Sequence, residues 1–195
     1  LTAGVVTELY LRERYPEDPI FVLGEDGLRR QFDGLTLTED PEAATVVVGS
    51  IDRDLTYSKL ATGLEALETG AKAFIGTDPD GAIPNAGGSS IPGSGAVIAA
   101  LATAADRDPD VVLGKPNEYA VQTALDRLGV PAEACLVIGD RLDTDIAMGG
   151  PNGMQTALVR TGTHSGEDID YYPDTPDYVF DSIADVENIL GGDTA

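Results

Sequence analysis

Short apolar runs alternate with stretches of helical spacing along most of the chain. Residues 20–23, 45–48, 72–75, 111–113, 134–138, 156–159 and 178–180 read as strands, several of them closed by a glycine. Between them, residues 5–15 form an amphipathic pattern stopped by Pro16 and Pro19, and residues 56–68 place Leu60, Leu64 and Leu67 on one helical face before Gly70. Residues 96–105, 120–128 and 183–190 predict further helices, whereas residues 78–95, rich in Gly, Pro, Asn and Ser, predict a loop. Strands alternating with helices predict an α/β fold with a doubly wound parallel sheet. The short charged segment at residues 106–109 is the expected domain boundary, dividing 1–108 from 109–195.

Charge then narrows the partners. The 195 residues carry 34 acidic against 12 basic side chains, a net charge of −22. That field repels phosphate backbones and anionic membrane surfaces, so neither nucleic acid nor membrane is an expected partner. No apolar run is long enough to cross a bilayer, and no basic, apolar leader opens the chain. A single Cys135 excludes an internal disulfide, and a single His164 leaves little for histidine-based metal sites. Lysine is confined to Lys59, Lys72 and Lys115 while Asp abounds. A surface so rich in carboxylates repels itself until salt screens it, which predicts a halophilic, cytoplasmic protein. Leu1 in place of Met points to further chain upstream.

Ligands of open parallel sheets bind beyond the carboxyl ends of the strands. Two such ends carry chemistry: Gly114-Lys115-Pro116, and Gly139-Asp140-Arg141-Leu142-Asp143-Thr144-Asp145. Asp140 and Asp145 offer hard oxygen ligands suited to Mg²⁺, and Lys115 offers a fixed positive charge for a phosphoryl oxygen. Each has a simpler role available, since acids favour helix N-termini and a lysine after a strand is commonly a solvated tip. Their occurrence together and in this order favours the functional reading.

These motifs, with Phe21-Val22-Leu23-Gly24, Val46-Val47-Val48-Gly49, Phe74-Ile75-Gly76-Thr77-Asp78 and Pro92-Gly93-Ser94-Gly95, give a chain that resembles the haloacid dehalogenase (HAD) superfamily of phosphatases. More narrowly it resembles their NagD-like branch, which includes nitrophenyl, phosphoglycolate and sugar phosphatases. The resemblance implies a Rossmann-like HAD core, here its C-terminal half at 109–195, with an α/β cap and its leading helix at 1–108. It implies hydrolysis of a small phosphorylated metabolite through an aspartyl-phosphate, with Mg²⁺ as cofactor. Lys115 falls on the family's catalytic and phosphate-binding lysine, Asp140 on its metal-binding carboxylate, and Asp145 on the supporting carboxylate. Asn117, one turn beyond Lys115, becomes a candidate phosphate contact, with a helix cap as its simpler role. A homodimer through the cap is expected.

In this family the nucleophilic Asp and a Thr or Ser motif precede the cap, so both are expected upstream of Leu1. Asp52-x-Asp54-x-Thr56 followed by Thr77 mimics that pair, but the surrounding strings match the cap, and a charged turn opening a helix is the preferred reading. A catalytically silent phosphate-binding module of the same fold is the alternative. An oxidoreductase is disfavoured by the lack of a Gly-x-Gly-x-x-Gly turn after an early strand. Gly93-Ser94-Gly95 reads as a tight helix entry rather than a phosphate cradle, and Asp80 as either a substrate contact or a solvated turn. Asp143 is expected to face solvent, Cys135 to lie in the core and His164 to have no catalytic role. Gly149-Gly150-Pro151-Asn152-Gly153 has no functional reading.

Overall fold

In the computed structural model, residues 1–85 and 88–186 are described. The chain divides into two compact units, Leu1–Gly114 and Lys115–Ala195. The division falls later than the expected 108, because Val111–Val112 joins the first sheet rather than opening the second. Among the described residues no helix is long and apolar enough to cross a membrane.

The first unit opens with α1 (Ala3–Arg14), whose free N–H groups are met by Thr2; its hydroxyl accepts from Val5 N at 3.3 Å. β1 (Ile20–Leu23), a short α2 (Asp26–Gln31) and β2 (Val46–Gly49) follow, then α3 (Tyr57–Thr69). Thr56 caps α3 by accepting from Lys59 N, and Gly70 ends it at φ 122°. After β3 (Ala73–Gly76), the stretch expected to be a loop holds an antiparallel pair, β4 (Ala82–Pro84) with β5 (Ser90–Pro92). Its Gly, Pro and Ser content hid it, and its residues are exposed or half-buried, so no apolar alternation marks it. The helix α4 (Ser94–Ala105) and β6 (Val111–Val112) complete the unit.

The sheet runs β1-β2-β3-β6, all parallel, with Ile20 opposite Val46, Val46 opposite Ala73, and Ile75 opposite Val111. Every residue of β1, β2 and β3 is buried, as expected of a parallel sheet covered on both faces. Phe21, Val47, Phe74, Ile98 and Leu101 share one core cluster. Gly49 and Gly76 let α4 approach the sheet: a Cβ on Gly76 would stand 2.8 Å from Ile98 Cδ1.

The second unit begins with α5 (Glu118–Leu128), then β7 (Leu136–Gly139), a π-helical turn at Leu142–Ile146, and one turn of α6 (Ala147–Gly149). β8 (Gln155–Val159) and β9 (Tyr178–Phe180) pair with β7 in the parallel order β7-β8-β9. The breaker-rich 149–153 stretch now has a structural role. A Cβ on Gly149 would collide with Thr156 on β8, and Gly153 takes φ 78° to turn the chain into that strand. Cys135 precedes β7 and is half-buried rather than in the core. The last predicted helix is a 3-10 turn over Ile183–Val186; its remainder at 187–190 lies outside the described residues.

Candidate functional site

Lys115, Asp140 and Asp145 all belong to the second unit. Asp140 follows β7 directly and is half-buried. The chain then enters the π turn, whose last two N–H groups return to Arg141: Asp145 N and Ile146 N both donate to its carbonyl, at 3.0 and 3.1 Å. Leu142 and Ile146 point into a small apolar cluster with Leu158. That anchoring buries Asp145, whose side chain is only 7 % exposed.

A buried carboxylate needs partners for its charge. Asp145 has two: Lys115 Nζ forms an ion pair with Oδ1, and Arg141 N donates to Oδ2 at 3.2 Å. The Lys115 side chain remains half exposed, so its ammonium is fixed at one end and open to a ligand at the other. Gly139 makes room for this arrangement, since a Cβ there would collide with the Asp145 carboxyl group.

Asp140 is held from the loop after β8. Thr163 N donates to Oδ2 at 2.7 Å, His164 N donates to the Asp140 carbonyl at 3.0 Å, and a Cβ on Gly162 would collide with the carboxylate. Oδ1 of Asp140 has no hydrogen-bond partner among the described residues. Asp143 is exposed, as expected, and chelates the Arg141 guanidinium at 3.0 and 2.7 Å. Burial alone would raise its carboxyl, but the Arg141 hydrogen bonds and charge outweigh that and hold it below the ordinary carboxylate range.

The donor set suits Mg²⁺ chemically. Among the described residues one hard carboxylate oxygen of Asp140 is unengaged, while both oxygens of Asp145 are taken by Lys115 and Arg141. Among the described residues no three acidic, His or Cys side chains group as a metal site, so water and substrate would complete the shell, as Mg²⁺ commonly requires.

Asn117 caps α5, its Oδ1 accepting from Tyr119 N at 2.9 Å, and among the described residues it makes no hydrogen bond to Asp140 or Asp145. Thr163, Gly162 and His164 were not singled out as part of the site. The signal was present: β7 and β8 are parallel neighbours, so the loops after them emerge at the same edge.

The mimic in the first unit splits into separate networks. Asp52 is buried, accepts Lys59 Nζ at 2.8 Å and closes a turn by accepting Asp54 N at 3.0 Å. Thr77 donates to Ser50 Oγ at 2.9 Å, and Ser94 Oγ donates to Asp78 Oδ2 at 2.6 Å. Asp80 N donates to Asp78 Oδ1 at 3.3 Å, and Gly95 N at the start of α4 donates to the Asp80 carbonyl at 2.9 Å. Gly93 and Gly95 lie so close to Asp80 and Pro79 that a Cβ on either would collide, which makes this a packed helix entry.

The family model described as HAD-hydrolase-like matches residues 112–186, the stretch that holds Lys115, Asp140 and Asp145. The sugar-phosphatase AraL of Bacillus subtilis is 37 % identical over 186 residues, covering 94 % of this chain and 67 % of that protein. The solved structure of a p-nitrophenyl phosphatase from Archaeoglobus fulgidus superposes with a TM-score of 0.88 at 35 % identity, covering 97 % of this chain and 74 % of the other. A 4-nitrophenylphosphatase from Thermotoga maritima gives 0.87 at 32 % identity, covering 96 % and 71 %. With two thirds or more of such proteins matched from nearly end to end of this sequence, the chain belongs to the HAD-like phosphatases, in their NagD-like branch.

Proposed function

We propose that this chain forms the cap (Leu1–Gly114) and the C-terminal part of the core (Lys115–Ala195) of a Mg²⁺-dependent phosphomonoester hydrolase. The observation that carries this reading is the Lys115–Asp145 ion pair, together with an Asp140 carboxylate at the end of β7 that has one oxygen unengaged among the described residues, all within the matched segment. Lys115 binds a phosphoryl oxygen and offsets the charge that develops on it. Asp145 holds the lysine in place by pairing with its ammonium. Asp140 would hold the metal, which when bound neutralises phosphate charge and lets a carboxylate nucleophile approach.

The nucleophilic Asp, and the Asp that acts as general acid and base, lie upstream of residue 1 in this reading. Two observations support that. The Asp52–Asp54 pair is committed to a turn and to Lys59. β7, which ends on Asp140, has four half-buried residues and pairs only with β8 among the described residues, leaving an edge for a further strand. Small phosphates are the substrate class: sugar phosphates, phosphoglycolate and nitrophenyl phosphate. The relatives' names, a sugar phosphatase and nitrophenyl phosphatases, agree with it. A cytoplasmic, halophilic protein and a homodimer through the cap remain part of the proposal.

Phosphate release from nitrophenyl phosphate, with Mg²⁺ in molar KCl, tests it in the enzyme carrying its upstream segment. Turnover that needs Mg²⁺ and falls on Lys115→Ala and Asp140→Asn is the expected result. Unchanged turnover in both variants would refute the assignment.

A further inference from the structure

We infer that His164, the one histidine of the chain, is a positioning residue for Asp140, acting through a clamp that runs from the apolar cluster of the second unit to the carboxylate. The inference rests on the metal-binding reading of Asp140. It is carried by four hydrogen bonds that close around one turn of chain. Leu142 N donates to His164 Nδ1 at 2.9 Å, and the His164 Nε2 and Tyr172 Oη lie 3.0 Å apart. His164 N donates to the Asp140 carbonyl at 3.0 Å, and Thr163 N donates to Asp140 Oδ2 at 2.7 Å.

The geometry assigns the tautomer. A backbone N–H can only donate, so Nδ1 accepts and carries no proton. The ring proton sits on Nε2 and is donated to Tyr172 Oη. His164 thus takes up the N–H of Leu142 through its side chain and the C=O of Asp140 through its main chain. The two ends of the Asp140-Arg141-Leu142 turn are thereby tied to one residue.

Tyr172 fixes the ring in turn. Its own ring lies 4.8 Å from the imidazole, centroid to centroid, and packs against the cluster of Leu142, Ile146 and Leu158. Gly162 is the third part of the clamp, because only a residue without Cβ lets the loop pass beside the carboxylate. The consequence is directional. Oδ2 of Asp140 is engaged by Thr163, so the loop presents Oδ1 as the oxygen left for a ligand. Partners outside the ligand shell that orient a metal-binding residue are worth about 10–100-fold in metal affinity.

The test uses residues 1–195 as wild type, His164→Ala, His164→Asn, Tyr172→Phe and Asp140→Asn. Two readouts are taken: amide hydrogen exchange of Leu142 and Thr163 without metal, and Mg²⁺ binding by calorimetry. An Asn carbonyl at 164 can still accept the Leu142 N–H, which makes it the conservative rescue. Expected are lost protection of both amides and about 10–100-fold weaker Mg²⁺ binding in His164→Ala. His164→Asn recovers most of both, Tyr172→Phe loses a few-fold, and Asp140→Asn abolishes binding. ¹⁵N spectra of the single histidine show an unprotonated Nδ1 and a protonated Nε2.

Wild-type protection in His164→Ala would overturn the clamp whatever the metal does. Lost protection with unchanged Mg²⁺ affinity would overturn its role toward Asp140. Should Asp140→Asn bind Mg²⁺ like wild type, or wild type bind none, the metal reading of the site fails and the positioning role falls with it, even with the clamp intact in the exchange data.

Discussion

The two parallel sheets of this chain solve different problems. In the first unit β1, β2 and β3 are buried along their whole length and sealed by α3 and α4, with Phe74 at the centre of a large apolar cluster. In the second unit β7 is half-buried throughout and the named cluster reduces to Leu142, Ile146 and Leu158. Yet the second unit carries the charged groups to which the proposed chemistry is assigned. The polar ends of the first sheet bond to one another, through Thr77, Ser50, Asp78 and Ser94. The strand ends of the second leave an ammonium half exposed and a carboxylate oxygen open. Burial makes one unit a self-sufficient scaffold. The other is organised around groups that stay available.

Substitutions can break that contrast. The largest expected effect is on catalysis: Lys115→Ala in the enzyme with its upstream segment lowers kcat roughly 10²–10³-fold, the scale for losing one preorganised donor to a developing oxyanion. Steady-state kinetics check it. Phe74→Ala, at a fully buried ring, costs the first unit about 3–5 kcal/mol, whereas Val137→Ala on the half-buried β7 costs about 1 kcal/mol. Amide exchange within α3 and β7 separates the two, and equal losses would contradict the contrast. Gly139→Ala forces the Asp145 carboxyl away from Lys115 and destabilises the second unit by about 1–3 kcal/mol, with α3 exchange unchanged.

A smaller effect concerns acid. Asp18 is held below its ordinary value by the hydrogen bond from Lys72, and Glu25 by the hydrogen bonds from Arg53. Both carboxyls therefore bind protons less readily folded than unfolded. Their contribution to the first unit is complete above the ordinary carboxylate pKa and is lost as pH falls through the depressed folded values. Asp18→Asn should flatten that part of the acid limb by under about 1 kcal/mol, as the pair is partly solvated. The salt dependence is the mildest test: with a charge of −22, Tm should rise as KCl increases toward molar levels. A falling Tm would remove the halophilic reading.

The apolar strands were legible because they are short apolar runs, several of them ended by Gly, and Thr56 and Gly70 marked the bounds of α3 from sequence. The β4–β5 pair was not, because Pro84, Ser90 and Pro92 carry no apolar alternation. The compact units divide later than residue 108, and nothing in Val111-Val112 says which sheet the strand will join. Within the site, Lys115, Asp140 and Asp145 could be read from their order after strands. Asp145's partnership with Lys115 joins residues thirty positions apart, a pairing that local pattern does not encode. A lone histidine in a polar loop has no local signature, and the contacts His164 makes to the Asp140–Leu142 turn depend on which strand its loop follows.

The proposed function assigns Lys115, Asp140 and Asp145 to serve a nucleophile outside residues 1–195, and Asp52 to a structural turn. The direct measurement is phosphate release from nitrophenyl phosphate by residues 1–195 and by their Asp52→Asn variant, in Mg²⁺ and molar KCl, with folding verified. The account predicts no turnover by either, and turnover once the upstream segment is restored. Turnover by residues 1–195 that Asp52→Asn abolishes would contradict it.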